Sequence, residues 1–256
     1  MCYDIKTKLE AQLKRAKHYN KTEWIKELER KLEPFQENEI FHASGYAHPT
    51  LLIYSNEHAT TPTPSTWGLV PHWVKDNKKR FELWNKTLNA RGETIFEKPS
   101  FRQSAKSKRC IIPLDGFYEH HHFNGKPYPY LIRREDGEPL MVAGLWNEWL
   151  DTETGELINT CTIVTTKANQ LLSKIHNNPK LPESRMPVLL NEADEDRWLD
   201  ISGDASNIES LKKLIQPLED GMLVAHTVQK LSGKAALGNI AEAAEYFKYD
   251  ELKEVG

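Results

Sequence analysis

The residue with the clearest chemical potential is Cys2, which directly follows Met1. Cysteine is small enough for Met1 to be removed, and its removal would leave an α-amine and a thiol on adjacent carbons. Their reference pKa values are about 7.7–8.0 and about 8.5, so both groups are partly deprotonated at neutral pH. Such a 1,2-aminothiol favours an aldehyde, because the amine can form a Schiff base that the thiol then closes to a thiazolidine. A cysteine at position 2 is more often incidental, so residues elsewhere must decide its role.

Size, charge and cysteine content narrow the class of protein. The chain has 256 residues, a net charge of −3 and three widely spaced cysteines without a CxxC motif. This length can bury a core without disulfides, and the cysteine pattern is typical of a reducing compartment and predicts no metal site. The first thirty residues are rich in Lys, Arg and Glu, and no apolar run reaches the ~18 residues of a membrane span. We expect a cytoplasmic protein without a cofactor. We also expect a monomer, since no heptad or repeat pattern indicates an assembly interface.

Positive charge is concentrated in residues 75–109, which carry eleven basic and four acidic side chains. Aromatic residues lie within or just before this stretch, namely Trp67, Trp73, Phe81, Trp84 and Phe96. Cations that hold phosphates and rings that stack on bases are typical of proteins that bind single-stranded nucleic acid. A solvated surface with dispersed charge is the simpler interpretation of the same stretch.

Hydrophobic spacing predicts an α+β fold. Residues 5–35 have helical spacing and are interpreted as a helical insertion. Short β-like runs follow at residues 50–54, 110–114, 128–133, 140–145, 160–165, 186–190 and 222–228. Helical patterns interrupt them at residues 167–175, 192–199 and 208–215. We therefore predict a single domain over residues 1–256, with a mixed or antiparallel, barrel-like β core flanked by helices.

Four further segments accompany Cys2 in order along the chain. They are WGLVPHW (residues 67–73), NARGE (89–93), RCIIPLDGFYE (109–119), and IH (175–176) followed by RMP (185–187). Together these motifs resemble the SOS response-associated peptidase family over nearly the whole chain, from Cys2 to about residue 190. The resemblance implies a β-rich fold with a positively charged groove for single-stranded DNA. It also implies covalent capture of abasic sites through Cys2 in the DNA damage response.

The resemblance assigns roles to four catalytic candidates. Cys2 is the nucleophile, and Glu119 is the acid/base that moves a proton while the closed sugar opens to its aldehyde. His176 is the second proton-handling group, with a reference pKa near 6.5. Asn89 orients the reacting groups without changing charge. The residues alone leave simpler roles open, since Glu119 could face solvent and His176 could cap a helix.

The resemblance also implies a set of DNA-binding residues. Trp67 and Gly68 would lie against the interrupted base stack, and Arg91 would contact a phosphate. Trp73 and Arg185 complete the predicted set. The simpler alternatives are that Trp67 and Trp73 belong to the core and that Arg91 pairs with a surface carboxylate.

The chain departs from the family pattern at three places. Tyr3 and Asp4 follow Cys2 where many members have Gly and Arg, which puts one DNA contact in doubt. His120 stands where the family usually has Trp, and we expect this change to affect packing. A longer loop, residues 177–184, precedes the RMP motif and leaves the position of the predicted histidine open.

Two other classes of function remain open at this stage. An N-terminal-nucleophile peptidase or amidase would use Cys2 to attack a carbonyl, in cis or on peptides, with its own amine as the base. A noncatalytic DNA-binding module would use the basic stretch alone. Turnover distinguishes the peptidase from stoichiometric capture, and unchanged binding by a Cys2→Ser variant would favour the noncatalytic module.

Overall fold

The computed structural model describes residues 2–13, 22–33, 39–201 and 205–252. Within these ranges the strands are β1 (Asp4–Thr7), β2 (Ile40–Ser44), β3 (Thr50–Ser55), β4 (Thr63–Trp67), β5 (Asn89–Arg91), β6 (Arg109–Leu114), β7 (Gly116–Phe123), β8 (Lys126–Arg134), β9 (Leu140–Leu150), β10 (Leu157–Lys167), β11 (Arg185–Pro187) and β12 (Leu223–Thr227). The helices are α1 (Leu9–Gln12), α2 (Thr22–Leu32), α3 (Asn77–Trp84), α4 (Arg102–Ser107), α5 (Gln170–Ile175), α6 (Glu192–Leu199) and α7 (Ala205–Leu214).

Five of these strands close into a barrel. The pairings run β10–β4, β4–β3, β3–β6, β6–β9 and β9–β10, so the path returns to its starting strand. The β10–β4 pair is parallel and the other four are antiparallel. Two short strands extend β10, because β5 pairs with it in parallel and β11 in antiparallel orientation. The prediction of a single α+β domain with a mixed, barrel-like core is confirmed.

Alternation along the barrel strands separates two cores. Cys110, Ile112 and Ile163 belong to one buried cluster. Their neighbours Ile111 and Val164 belong to a second cluster, which also contains residues of α6 and α7. Because successive side chains of a strand point to opposite faces, the first cluster fills the barrel and the second lies beneath the helices outside it.

A second sheet, in the order β12-β8-β7-β1-β2, packs against the barrel. Ile5, Phe117 and Ile132 of this sheet join the cluster that fills the barrel. Within it β1 lies between two partners, so that Asp4 stands opposite Ser44 of β2 and opposite Tyr118 of β7. The chain immediately before β1 therefore lies where the sheet meets the barrel.

The predicted helical insertion at residues 5–35 was wrong at its start. Residues 4–7 form β1, with the side chains of Ile5 and Thr7 buried and those of Asp4 and Lys6 partly exposed. This period of two fits the pairing of β1 with strands on both sides, which outweighs the helical spacing of Ile5 and the apolar residues that follow it. Within the predicted insertion, the helices observed are α1 and α2. Residues 14–21 and 34–38 lie outside the described residues.

The other predicted elements correspond closely to observed ones. The β-like runs fall within β3, β6, β8, β9 and β10, and β12 occupies most of the final run. At residues 186–190 the strand is short, since β11 covers only Arg185–Pro187 and the chain then makes an isolated bridge between Leu189 and Val142. The three helical patterns correspond to α5, α6 and α7.

Candidate active site

Cys2 is held at the start of β1 by contacts with both the sheet and the barrel. Its side chain is only 1% exposed and belongs to the barrel cluster. The Nδ2 amide of Asn89 donates a hydrogen bond of 2.7 Å to the Cys2 carbonyl. Asn89 begins β5, which is held on β10 by the pairing of Asn89 with Ile163. The structure thus brings Cys2 and Asn89 into contact across 87 residues of sequence.

The second amide atom of Asn89 has an unusual environment. Asn89 Oδ1 is buried and accepts no hydrogen bond from the residues that the structure describes. Burying an acceptor without a donor costs about 1–3 kcal/mol. Nδ2 of Asn89 already donates to the Cys2 carbonyl. Oδ1 can therefore accept a hydrogen bond from a bound group.

Glu119 and His176 form a close acidic and basic pair. Glu119 lies on β7, is 8% exposed, and accepts a hydrogen bond of 3.0 Å at Oε1 from the backbone N–H of His120. Its Oε2 lies 3.7 Å from His176 Nδ1. His176 follows the last residue of α5, and its ring is also buried. The two candidate proton-transfer groups therefore face each other although they are 57 positions apart in the sequence.

The backbone of Arg185 fixes the His176 ring from the other side. His176 Nδ1 lies 3.0 Å from the N–H of Arg185 and 3.0 Å from its carbonyl oxygen. The N–H donates to Nδ1 when that nitrogen carries no proton, and the carbonyl accepts when it does. The ring can therefore gain or lose a proton at Nδ1 without losing a backbone partner, as a proton-handling group requires.

Burial sets the protonation of the two groups most relevant to reaction. Burial raises the pKa of the Cys2 thiol far above its usual value, and the charge of Glu119 raises it further. Burial lowers the pKa of His176, while Glu119 opposes that shift. At neutral pH the thiol therefore keeps its proton, and the imidazole is neutral and able to accept one.

A pocket of about 380 Å³ opens beside this pair, and its lining includes Tyr3, Glu119, His120 and His176. The extended loop of residues 177–184 forms another part of its wall through Asn178 and Leu181. This loop is attached to β7, because the Asn177 side chain accepts from the N–H of His122 at 2.6 Å and donates to its carbonyl at 3.1 Å. The longer loop thus shapes the pocket instead of displacing the histidine.

Comparison with known proteins agrees with these motifs. The family model described as SOS response associated peptidase (SRAP) matches residues 2–235. The chain belongs to the SRAP family. It is 40% identical to abasic site processing protein YoqW of Bacillus subtilis over 166 residues, covering 64% of this chain and 68% of that protein. It is 33% identical to abasic site processing protein HMCES of Gallus gallus over 175 residues, covering 60% of this chain but only 49% of that protein.

Solved structures show the same SRAP fold. A crystal structure of a protein from Bacteroides thetaiotaomicron has a TM-score of 0.79 and 29% identity, and the likeness covers 96% of this chain and all of that one. A protein from Bordetella bronchiseptica, at 24% identity and a TM-score of 0.67, shares the fold over 89% of this chain. In the part of the chain described, no helix has the length and apolar character needed to span a membrane. The same residues contain no group of three or more His, Cys, Asp or Glu side chains arranged to hold a metal ion.

Trp67, the first tryptophan of the WGLVPHW motif, is packed inside the barrel. Its ring is 0% exposed, belongs to the barrel cluster, and donates through Nε1 to the Leu88 carbonyl at 2.8 Å. The prediction that Trp67 stacks against DNA was therefore wrong for this structure, because a fully enclosed ring offers no face to a base. Gly68 is buried too, with φ +125°, and a Cβ there would lie 2.4 Å from the Trp84 ring. Gly68 is needed for that close approach, and its place against the interrupted base stack stays a prediction.

Arg185 is a structural clamp in this fold. Its guanidinium is 2% exposed and donates to Glu93 at 2.7 Å, to Glu183 at 2.8 Å and to the Thr165 carbonyl at 2.9 Å. Arg185 was also among the residues predicted to bind DNA, and this structure contradicts that assignment, because these acceptors already hold the enclosed guanidinium. Its actual effect is to join β11 to β10 and to the turn after β5, which fixes the backbone that holds His176.

The remaining DNA-binding candidates lie at the surface. Arg91 is exposed and pairs with Glu183 at 3.0 Å. Trp73 is partly exposed, and its Nε1 donates to the Pro99 carbonyl at 3.2 Å.

Eight basic residues of the 75–109 stretch are exposed, namely Lys75, Lys78, Lys79, Lys86, Arg91, Lys98, Arg102 and Lys106. Arg109 is buried instead and donates to the carbonyls of Trp198 and Ala105.

Several residues around the site were not found by sequence reasoning. Tyr3 lines the pocket, and Asn177 attaches its wall to β7. Asp4, which stands in place of the family arginine, pairs with His42 at 2.9 Å on the neighbouring strand. The sequence signals were the departures at positions 3 and 4 and in the longer loop of residues 177–184, which marked the places but not the contacts.

Proposed function

We propose that this protein processes abasic sites, the function that the names of its relatives give for those proteins, and that it does so in single-stranded DNA. Cys2, exposed as the N-terminal residue by removal of Met1, captures the aldehyde of the lesion as a covalent DNA–protein crosslink. The observation that most supports this is the convergence of four separate segments of the chain. Asn89 donates to the Cys2 carbonyl, the charge of Glu119 acts on the Cys2 thiol, and Glu119 lines one pocket together with His176.

The reaction begins with opening of the sugar. Most of an abasic deoxyribose is a closed hemiacetal, so a proton must move from its hydroxyl to the ring oxygen before the aldehyde is available. Glu119 can supply and take up that proton, since His176 lies 3.7 Å from its Oε2 and is able to hold it. Asn89 Oδ1 is suited to accept a hydrogen bond from the α-amine or from a sugar hydroxyl.

Bond formation then proceeds in two steps. The neutral amine of Cys2 attacks the aldehyde carbon to give a carbinolamine, which is protonated on oxygen and loses one water to form the Schiff base. The Cys2 sulfur next adds to the imine carbon, and the thiol proton passes to the nitrogen. The product is a thiazolidine, and the overall change is loss of one water.

The raised pKa of the Cys2 thiol favours this order of events. A protonated thiol is a poor first nucleophile, so the amine reacts first and the thiol closes the ring with its proton still available. The same property weighs against a peptidase or amidase, in which a thiolate must attack a carbonyl at the outset. We retain autocatalytic peptide cleavage only as the outcome to be considered if capture fails.

Single-stranded DNA is the proposed substrate. The exposed cations of residues 75–109 can hold phosphates without reading base edges, and an unpaired strand can bend its sugar into the pocket. The expected sequence preference is weak, because phosphate contacts carry no base information.

The deciding experiment mixes the purified protein with a single-stranded oligonucleotide that carries one abasic site, and separates the products on a denaturing gel. Intact mass first establishes that Met1 is absent. A band that requires both Cys2 and the abasic site supports the proposal, and slower formation by Glu119→Gln supports its proton-transfer role. The undamaged oligonucleotide and Cys2→Ala are the controls. Absence of a crosslink from protein with a free Cys2 terminus would overturn the proposal and make the N-terminal-nucleophile hydrolase the leading alternative.

A further inference from the structure

Two tyrosines lie together immediately beside the nucleophile. Tyr3 follows Cys2 and lines the pocket that also contains Glu119 and His176. Its ring stacks on that of Tyr46, with ring centroids 5.1 Å apart and an interplanar angle of 28°. Tyr46 is 55% exposed although it is a large aromatic residue. The pair thus runs from the pocket wall to the protein surface.

The backbone beneath Tyr46 is firmly held. Tyr46 lies in the 3-10 turn Gly45–Ala47, and the Gly45 N–H donates to the Tyr3 carbonyl at 2.7 Å. Gly45 sits directly on the buried ring of Trp67, since a Cβ at this position would lie 3.1 Å from its ring atoms. The next residue after the turn, His48, donates from Nδ1 to the Trp67 carbonyl at 2.7 Å. Trp67 therefore supports the turn that presents Tyr46.

We propose that the stacked rings of Tyr3 and Tyr46 form a platform for the nucleobase adjacent to the captured abasic sugar. The inference rests on the proposed function and adds a ligand group to that site. An abasic site interrupts the base stack, so the flanking base has lost a neighbour and gains one by lying on an aromatic ring. Such stacking contributes about 1–3 kcal/mol per base and tolerates any base.

The chemistry of the pair suits a base and not a phosphate. Burial and the neighbouring Tyr46 raise the pKa of Tyr3, so its phenol stays neutral at physiological pH. The pair therefore presents flat, uncharged surface. The cations that could hold phosphates lie instead in the separate 75–109 stretch.

The first test measures stacking without the covalent reaction. A single-stranded oligonucleotide carries a tetrahydrofuran abasic analogue, which has no aldehyde, with 2-aminopurine on one side or the other. We expect its fluorescence to be quenched on binding to the wild-type protein at one of the two positions, and to remain unquenched with Tyr46→Ala. Tyr46→Trp should restore quenching, because indole provides an equal or larger stacking face.

The second test measures capture of a true abasic site as a function of oligonucleotide concentration. Tyr46→Ala should raise the half-saturating concentration by about 5- to 150-fold, which corresponds to the loss of one stacked base, and Tyr46→Trp should restore it. The control is Tyr246→Ala, which removes another exposed tyrosine and should behave as wild type.

The outcomes separate this inference from the function on which it rests. An unchanged half-saturating concentration and unchanged quenching in Tyr46→Ala would overturn the platform while leaving capture intact. Equal impairment of Tyr46→Ala and Tyr46→Trp would also overturn it, because that result assigns Tyr46 a packing role. A wild-type protein that forms no crosslink but quenches 2-aminopurine through Tyr46 would refute covalent capture and retain the platform.

Discussion

Arg185 provides a sharp test of whether a family motif residue acts on DNA or on the fold. Its guanidinium is almost fully enclosed and ion-pairs with Glu93 and Glu183, while also donating to the Thr165 carbonyl and hydroxyl. Removing one partner of a buried ion pair costs about 3–5 kcal/mol. The two carboxylates are 42% and 32% exposed, so water can partly replace the lost cation. We therefore expect Arg185→Ala to lower the free energy of unfolding by about 3 kcal/mol, at the lower end of that range.

The assay is urea unfolding at neutral pH, followed by tryptophan fluorescence. Arg91→Ala is the matched control, because Arg91 contacts the same Glu183 but from the exposed surface. Loss of such an exposed pair costs about 0–1 kcal/mol. The structure thus predicts that Arg185→Ala lowers the free energy of unfolding clearly more than Arg91→Ala does, although both arginines contact Glu183.

Salt dependence of DNA binding supplies the contrary outcome. A cation that contacts a phosphate of single-stranded DNA contributes about 0.7 to the slope of log K against log salt. If Arg185→Ala unfolded like the wild type and lost that slope increment, Arg185 would contact DNA and its assignment as a clamp would be refuted. We expect the slope to fall in Arg91→Ala instead.

Three further predictions follow from individual contacts. Asn89→Ala removes the hydrogen bond to the nucleophile's carbonyl, and we expect about tenfold slower crosslinking at saturating oligonucleotide, a loss of about 1.4 kcal/mol; an unchanged gel time course would contradict the assignment. Because burial lowers the pKa of His176, the stability gained from its neutral form is present above its unfolded pKa of about 6.5 and is lost as the pH falls through its lower folded pKa. Urea unfolding between pH 7 and 5 should therefore show a smaller loss for His176→Gln than for wild type, and equal losses would contradict this. Gly68→Ala should destabilise by about 2–4 kcal/mol, since its Cβ would clash with the Trp84 ring and its φ is +125°. Gly125→Ala, with φ +75° and no atom within 4 Å of its Cβ, isolates the backbone cost at about 1 kcal/mol; equal thermal shifts would disprove the clash.

The local sequence pattern was sufficient to predict the strands and helices with a strong hydrophobic periodicity. The β-branched and apolar runs of β6 and β10 and the capped helices α5 and α6 were found near their observed bounds, since their signals lie within one segment. β1 could not be found in this way. Its extended form depends on β2 and β7, which flank it in space and are remote in sequence, and helical spacing alone favoured the wrong element.

The candidate site, like the fold, could be predicted only in part from the sequence. Motif order selected residues that lie close together in the fold, but it did not distinguish a residue that could face a ligand from one that packs behind the site. Trp67 and Arg185 belong to motifs as strongly as Glu119 does, yet both are enclosed by packing that only the assembled barrel provides. Tyr46 belongs to none of the motifs and is exposed beside the pocket-lining Tyr3.

The position of β1 within its sheet has a mechanical consequence. The first residues of a domain usually fray unless a sheet holds them, and here antiparallel ladders hold β1 on both edges. A DNA strand anchored at Cys2 would pull on the start of β1, so the hydrogen bonds of both ladders would share the tension. If Cys2 carries the DNA as proposed, the DNA is attached to a strand that is paired on both edges, and a force on it would act on the sheet and not on a frayed terminus.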